Sequence, residues 1–273
     1  MMAQQMMAAI QVHAYGGADR LTLDQIPRPE PGDGEALVRV RAAGVNPIDW
    51  KLREGAMKDF MPMSFPYVPG VELAGVVERV GPGVTAVRPG QEVFGRAARG
   101  SYAAYALAPA RDLAPKPATV SFDEAAAIPL GATTAWQGLF DHGHLARGQR
   151  ALILGGAGGV GLFAVQFARW TGAEVAATAS ARNADYVRAL GAHTVIDYAT
   201  TRVEDVARDV DLVFDTMGGV ALAGVWPALK RGGALVTVAG RPDEARARAG
   251  CARLVVLRGD LRRSPDHGRA PDR

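Results

Sequence analysis

Two clusters in this 273-residue chain combine residue types and spacing that could do chemistry. The first lies in ALILGGAGGVGLFAVQFARW, where Gly156, Gly158 and Gly161 make a G-x-G-x-x-G pattern between an apolar run and a helical one. Glycines there let the main chain turn tightly and come close to a pyrophosphate. The helix that follows turns unpaired N–H groups and the positive end of its dipole toward that charge. By itself the pattern also fits a glycine turn that only packs a helix on a sheet. The strand–turn–helix order, with the next strand beginning near Glu174, points to a dinucleotide. The second cluster is Asn46, Asp49 and Lys51 in GVNPIDWK. An amide, a carboxylate and an ammonium at a strand end can equip a polar site, with or without a metal. They can equally form a solvated turn, since Asn-Pro starts turns and Asp49 can cap a short helix over 50–54.

Residues past the glycine loop narrow the choice of dinucleotide. Where NAD is bound, a carboxylate about 20 residues on usually takes the ribose hydroxyl. Here the second strand ends Thr178-Ala179-Ser180-Ala181-Arg182-Asn183, with no acid at the strand end. A serine hydroxyl and a guanidinium suit a 2′-phosphate, so Ser180 and Arg182 favour NADPH. The competing reading makes Ser180 an ordinary helix cap and Arg182 a solvated side chain. Asp185 lies a turn further on, inside the expected helix.

The elements that must hold these residues fall into two regions. From Ala8 to about Lys116, short alternating runs such as AAIQVHAY, EALVRVRAAGV, LAGVVERVG and SYAAYALAP are separated by Pro/Gly turns, which suggests a barrel-like β unit. Ser121 followed by Glu124 is a capping-box signature for a helix that Pro129 must limit. From Gln149 on, apolar strands alternate with amphipathic helices near 160–171, 183–190, 203–208 and 220–229. That alternation is the signature of a doubly wound parallel sheet. Composition excludes some classes. The lone Cys251 rules out a disulfide framework and a cysteine-based zinc site. The N-terminus has no leader-like charge and apolar core, and no apolar run approaches membrane length, so a cytoplasmic protein is expected.

The ordered motifs AAAIPLGATTAWQGL, GQRALILGGAGGVG, LGAHTVIDY, DLVFDTMGG and RGGALVTVAG, after an N-terminal β region, resemble the medium-chain dehydrogenase/reductase superfamily. The closest likeness is to its zinc-independent quinone oxidoreductase and enone reductase branch, and it spans roughly Met7 to Pro242. It implies an α/β protein with a GroES-like β-barrel domain over 7–124 and a Rossmann domain over 125–250. The resemblance adds Thr134, Gly159, Val160 and Gly240 to the cofactor residues. It also marks three places where zinc-dependent relatives carry metal ligands, held here by Asn46, Val71 and a residue near Leu130. A catalytic zinc needs about three good ligands, and Glu72 with Asp49 alone does not make that set, so no metal is expected. Without one, hydride addition to a quinone or to the C=C of an α,β-unsaturated carbonyl is easier than reduction of a simple ketone. The implied roles are Asn46 and Lys51 as hydrogen-bond donors to the enolate, with Asp49 orienting Lys51 or the turn backbone. Tyrosines found near Lys51 and Met57 in many relatives are missing, which leaves the proton donor open between Lys51 and water. Trp136 and Tyr67 read either as pocket lining or as packing.

The last stretch departs from the family pattern. Residues 241–273 hold nine arginines and five acids, against 22 basic and 23 acidic residues in the rest. Only ARLVVLR looks strand-like, so 251–273 is expected to be a divergent, disordered basic tail. A truncated family ending would explain it, and would compromise a family-like homodimer. Two other functional readings follow: an NADPH binder without turnover, and a defective truncated product. A small-molecule substrate is expected, with no membrane partner. Nucleic acid is not expected either, because the tail has no aromatic residue for stacking.

Overall fold

The computed structural model describes residues 5–59, 61–240, 242–249 and 252–256. The chain divides into two compact units, Met1–Leu130 and Gly131–Arg273, and the division falls inside the helix Pro129–Trp136.

The first unit is β-rich. Strands β1 (Met6–Val12) and β2 (Leu21–Pro27) form an antiparallel hairpin. Strands β3 (Glu35–Ala43), β4 (Glu72–Val80), β5 (Glu92–Arg96), β6 (Tyr105–Pro109) and β7 (Leu113–Pro115) form an antiparallel sheet in the order β6-β3-β4-β5-β7. Alternation in these strands buries Ala36, Val38, Leu73, Val77, Val93 and Ala106 in one cluster. Three strands, β2, β5 and β7, were not foreseen from sequence. Strand β2 shows why: its alternation stops after Leu21 and Leu23, with Gln25 and Ile26 out of phase. The capping box is formed as expected. Ser121 N–H donates to Glu124 Oε2 at 2.8 Å and Glu124 N–H to Ser121 Oγ at 3.2 Å, opening the helix Phe122–Ala126. Ala125 and Ala126 of that helix pack on Ala74, and so belong with the β unit.

The second unit is a parallel sheet of six strands. They are β8 (Arg150–Leu154), β9 (Glu174–Ala179), β10 (Thr194–Asp197), β11 (Val210–Asp215), β12 (Leu229–Thr237) and β13 (Arg253–Val256), in the order β10-β9-β8-β11-β12-β13. The strand order reverses between β8 and β11, the switch point at which doubly wound sheets bind ligands. Apolar strands bury both faces, one against Ala164, Val165 and Ala168, the other against Leu222, Val225 and Ala228. The helix expected over 220–229 is shorter, Gly219–Ala223, because Gly224 and Pro227 cannot continue it. Strand β13 lies within the stretch read as a disordered tail, and its Leu254 and Val255 pack on the core clusters. The remainder of that tail, 257–273, lies outside the described residues. Among the described residues no helix is long and apolar enough to cross a membrane.

Phe214, fully buried in β11, lies against Gly138, where an added Cβ would run into its ring. Phe214→Ala should cost about 3–5 kcal/mol through the cavity it leaves, read as an earlier midpoint in denaturant unfolding of the parallel-sheet unit. A loss below about 1 kcal/mol would mean that the ring is not the keystone of this core.

Candidate active site

Each unit carries one of the two chemical clusters. In the parallel-sheet unit the glycine loop leaves β8 at its carboxyl end. Gly155 has φ of +82°, a conformation that favours glycine. Its N–H donates to Thr178 Oγ1 at 2.9 Å, and Gly156 N–H donates to the Thr178 carbonyl at 2.9 Å. Thr178, buried in β9, thus ties the start of the loop to the neighbouring strand. Gly156 fits between Ala177 and Val187, and a Cβ on Gly161 would strike the Gly155 carbonyl. Both glycines are required by packing. Gly159, in contrast, has nothing within 4 Å of where its Cβ would be, so there the lack of a side chain leaves open space beside the main chain. Val160 precedes the helix Gly161–Thr171 as its N-cap. Thr134 is half-buried on the helix Pro129–Trp136, whose Gly131 packs against the Gly159 carbonyl.

Ser180 follows β9 and caps a short 3-10 turn, Ala181–Asn183. Arg182 on that turn is exposed and makes no ion pair among the described residues. Asp185, the one nearby acid, is engaged by Arg188 at 2.6 Å in the following helix. The strand end thus offers a hydroxyl and a free guanidinium and no carboxylate. On the other side of the switch point, fully buried Asp215 organises the loop after β11. Its Oδ1 accepts from the Met217 and Gly218 N–H groups, both at 2.9 Å, and its Oδ2 accepts the Thr237 hydroxyl at 2.6 Å. Gly240, beyond β12, approaches Gly218 and Leu222. Sequence reading missed Thr178 and Asp215. Their signal was a polar residue at the end of an otherwise apolar parallel strand.

In the β unit, Asn46 caps the helix Pro47–Arg53, with Pro47 in the first turn where its missing N–H costs nothing. Asp49 is buried, and its Oδ2 accepts the Asn46 main-chain N–H at 2.8 Å and the Tyr102 hydroxyl at 3.0 Å. Of the two roles expected for Asp49, the contacts match support of the turn backbone; among the described residues it makes no ion pair with Lys51. Lys51 is half-buried, its Nζ 5.6 Å from the Trp50 ring. Tyr67 keeps its hydroxyl buried without a hydrogen-bond partner among the described residues, while its main chain is bonded to Val12 of β1.

The Asn46 side chain reaches a residue that sequence reading had set aside. Glu72, the first residue of β4, is 2% exposed. Its Oε1 accepts Asn46 Nδ2 at 2.6 Å and its Oε2 accepts the Leu130 main-chain N–H at 2.6 Å. Asn46 and Leu130, at or near two of the three places that the family resemblance marks as metal-ligand positions, thus present N–H donors to a carboxylate here. Gly44 makes room for it, because a Cβ there would overlap Glu72 Oε1 and the Ala126 carbonyl. The donor set does not suit a zinc ion: amide N–H groups are not ligands, and among the described residues no three His, Cys, Asp or Glu side chains gather to hold a metal.

Comparison with known proteins agrees with this architecture. The model of the alcohol dehydrogenase GroES-like domain matches residues 32–118, and that of the zinc-binding dehydrogenase family matches 159–262. The chain is 35% identical over 254 residues to a chloroplastic quinone-oxidoreductase homolog of Spinacia oleracea, covering 88% of this chain and 77% of that one. The chain belongs to the quinone oxidoreductase branch of the medium-chain dehydrogenase/reductase superfamily. It is also 37% identical to a chloroplastic NADPH-dependent alkenal/one oxidoreductase of Arabidopsis thaliana, covering 83% of this chain and 61% of the relative. A mycobacterial protein solved in complex with NADPH superposes with a TM-score of 0.82 at 33% identity, covering 92% of this chain and 81% of that one. The family fold is thus a GroES-like β domain followed by a Rossmann domain.

Burial pushes the Asp49 and Glu72 carboxyls above their ordinary range, and the hydrogen bonds they accept only partly offset it. Burial and then the Asp49 charge push the Tyr102 phenol up. For the two acids the folded state holds its proton more tightly than the unfolded chain. Their stabilising contribution is complete below the ordinary carboxylate range and is lost as pH rises through the raised folded values. Asp49→Asn should therefore flatten the fall of the melting midpoint across that window relative to the wild type. A steeper fall in the variant would contradict the burial assigned to Asp49.

Proposed function

We propose that the chain is an NADPH-dependent oxidoreductase that acts without zinc on quinones or on the C=C of α,β-unsaturated carbonyls. The Rossmann domain would hold the cofactor through Gly156, Gly158, Gly159, Val160 and Gly161, with Thr134 and Gly240 beside them and Ser180 and Arg182 on the 2′-phosphate. The β domain, taken as 7–124 with the Phe122–Ala126 helix packed on it, would supply the charge-handling groups. The relatives named as quinone and alkenal/one oxidoreductases, and the neighbour complexed with NADPH, support this assignment.

One observation carries the choice of reaction: the Glu72 carboxylate, engaged by Asn46 and Leu130 where zinc-dependent relatives place their ligands. In this reading hydrogen-bond donors stand where a Lewis acid would, which favours a substrate that can itself delocalise charge. NADPH, when bound, supplies the hydride. As a hydride bonds to the β-carbon, the C=C electrons shift through the α-carbon onto the carbonyl oxygen, where hydrogen-bond donors have most effect. The Asn46 amide has a second N–H beyond the one given to Glu72, and the Lys51 ammonium carries three. Both donors belong to the cap and first turns of one short helix, pinned by Asp49. Lys51 or water delivers the proton that completes the reduction. The substrate is a small molecule and the location cytoplasmic in this reading.

NADPH consumption should depend on an added enone or quinone, and a simple saturated ketone should not support it. NADPH binding without turnover on any such acceptor would leave a cofactor-binding protein. Arg182→Ala should raise the KM for NADPH about 10- to 100-fold, the loss of a charge-assisted contact worth about 1.5–3 kcal/mol, and barely alter that for NADH. An equal loss with both cofactors would remove Arg182 from the phosphate site.

A further inference from the structure

A buried carboxylate dictates the orientation of its neighbours, because it accepts at both oxygens and donates at neither. Glu72 has one donor on each oxygen, both at 2.6 Å. The Leu130 main-chain N–H fixes Oε2, and the ladder of β4 with β3 and β5 fixes the backbone from which the side chain rises. Oε1 is left for Asn46. Flipping the Asn46 carboxamide would bring its Oδ1 against the carboxylate oxygen, two acceptors with no proton between them. Its backbone end is held as well, through the Asn46 N–H to Asp49 Oδ2 at 2.8 Å. Asn46 is therefore fixed at both ends, with one amide proton committed and the other directed away from Glu72.

We propose that Glu72 is the positioning residue of the site, setting the Asn46 carboxamide so that its second N–H, and not its carbonyl, meets the oxygen on which charge develops. In place of a metal that would draw charge directly, the chain uses a buried anion to aim a neutral donor. The charge of Glu72 also polarises the amide, and makes the remaining N–H a fixed feature instead of one of two rotamers. Gly44 belongs to the same device, since any side chain there would push the carboxylate off Asn46. The proposal rests on the reading of Asn46 as the donor to the enolate.

The test uses the full chain with NADPH and a simple alkyl vinyl ketone, comparing Glu72→Gln, Asn46→Ala and the double variant. Glutamine keeps the shape but turns an NH2 toward one of the two donors. Glu72→Gln should lower kcat about 10- to 100-fold with KM for the ketone and Kd for NADPH changed by less than about threefold. Asn46→Ala should lower kcat similarly, and the double variant should fall no further, because both changes remove one aimed proton. A merely structural role would instead move the melting midpoint and all the kinetic constants together. If Asn46→Ala is impaired while Glu72→Gln keeps its kcat, the positioning role is overturned and the donor reading stands. If Asn46→Ala keeps its kcat, the donor reading falls and this role falls with it. Should Glu72→Gln lose its cooperative melt, Gly44→Ala takes its place: it retains the glutamate and displaces it, and an unchanged kcat there overturns the proposal.

Discussion

A carboxylate buried at the start of a strand must find hydrogen-bond donors, since an ionised group left unpaired in a protein interior costs several kcal/mol. Glu72 meets that constraint with an amide from the cap of one helix and a main-chain N–H from the start of another. Much of the local chain follows from it. Position 44 has to be glycine so that the carboxylate can enter. Asn46 must be close enough to donate, which sets where the short helix begins, and Pro47 enforces that beginning. Asp49 then secures the same cap from the opposite side through the Asn46 N–H and the Tyr102 hydroxyl. The result is a rigid polar corner built from segments remote in sequence.

The Rossmann domain solves an analogous problem with neutral and charged anchors at the ends of its strands. Thr178 captures the start of the glycine loop, and Asp215 captures the loop after β11. Both are buried polar side chains near the ends of apolar strands, Thr178 on β9 and Asp215 on β11. Main chain at Gly155 and Gly156 is fixed by Thr178, and space beside it opens at Gly159. Preorganisation of this kind lowers the ordering cost of binding a dinucleotide.

Sequence alone made the order of elements legible wherever local chemistry decided it. The G-x-G-x-x-G turn, the Ser121–Glu124 capping box and the buried parallel strands rest on residues within a few positions of one another. The corner around Glu72 does not. Its partners lie 26 and 58 residues away, and the Asp49–Tyr102 contact spans 53. A glutamate among apolar neighbours, read in sequence with Asp49 as too poor a set for zinc, gave no sign that it was the hub. Strand β2 is hard to read because its alternation ends after Leu23. The helix after β11 is shorter than its apolar pattern suggests because Gly224 and Pro227 end it.

The central claim is that the chain moves hydride from NADPH onto the carbon β to a carbonyl with no help from a metal. Its most direct test is the position of deuterium in the product when metal-stripped protein is given deuterated NADPH and an enone. The account predicts deuterium on the β-carbon, formed as fast as before chelation. Deuterium on the carbonyl carbon, or transfer that stops on chelation and returns with zinc, would contradict it.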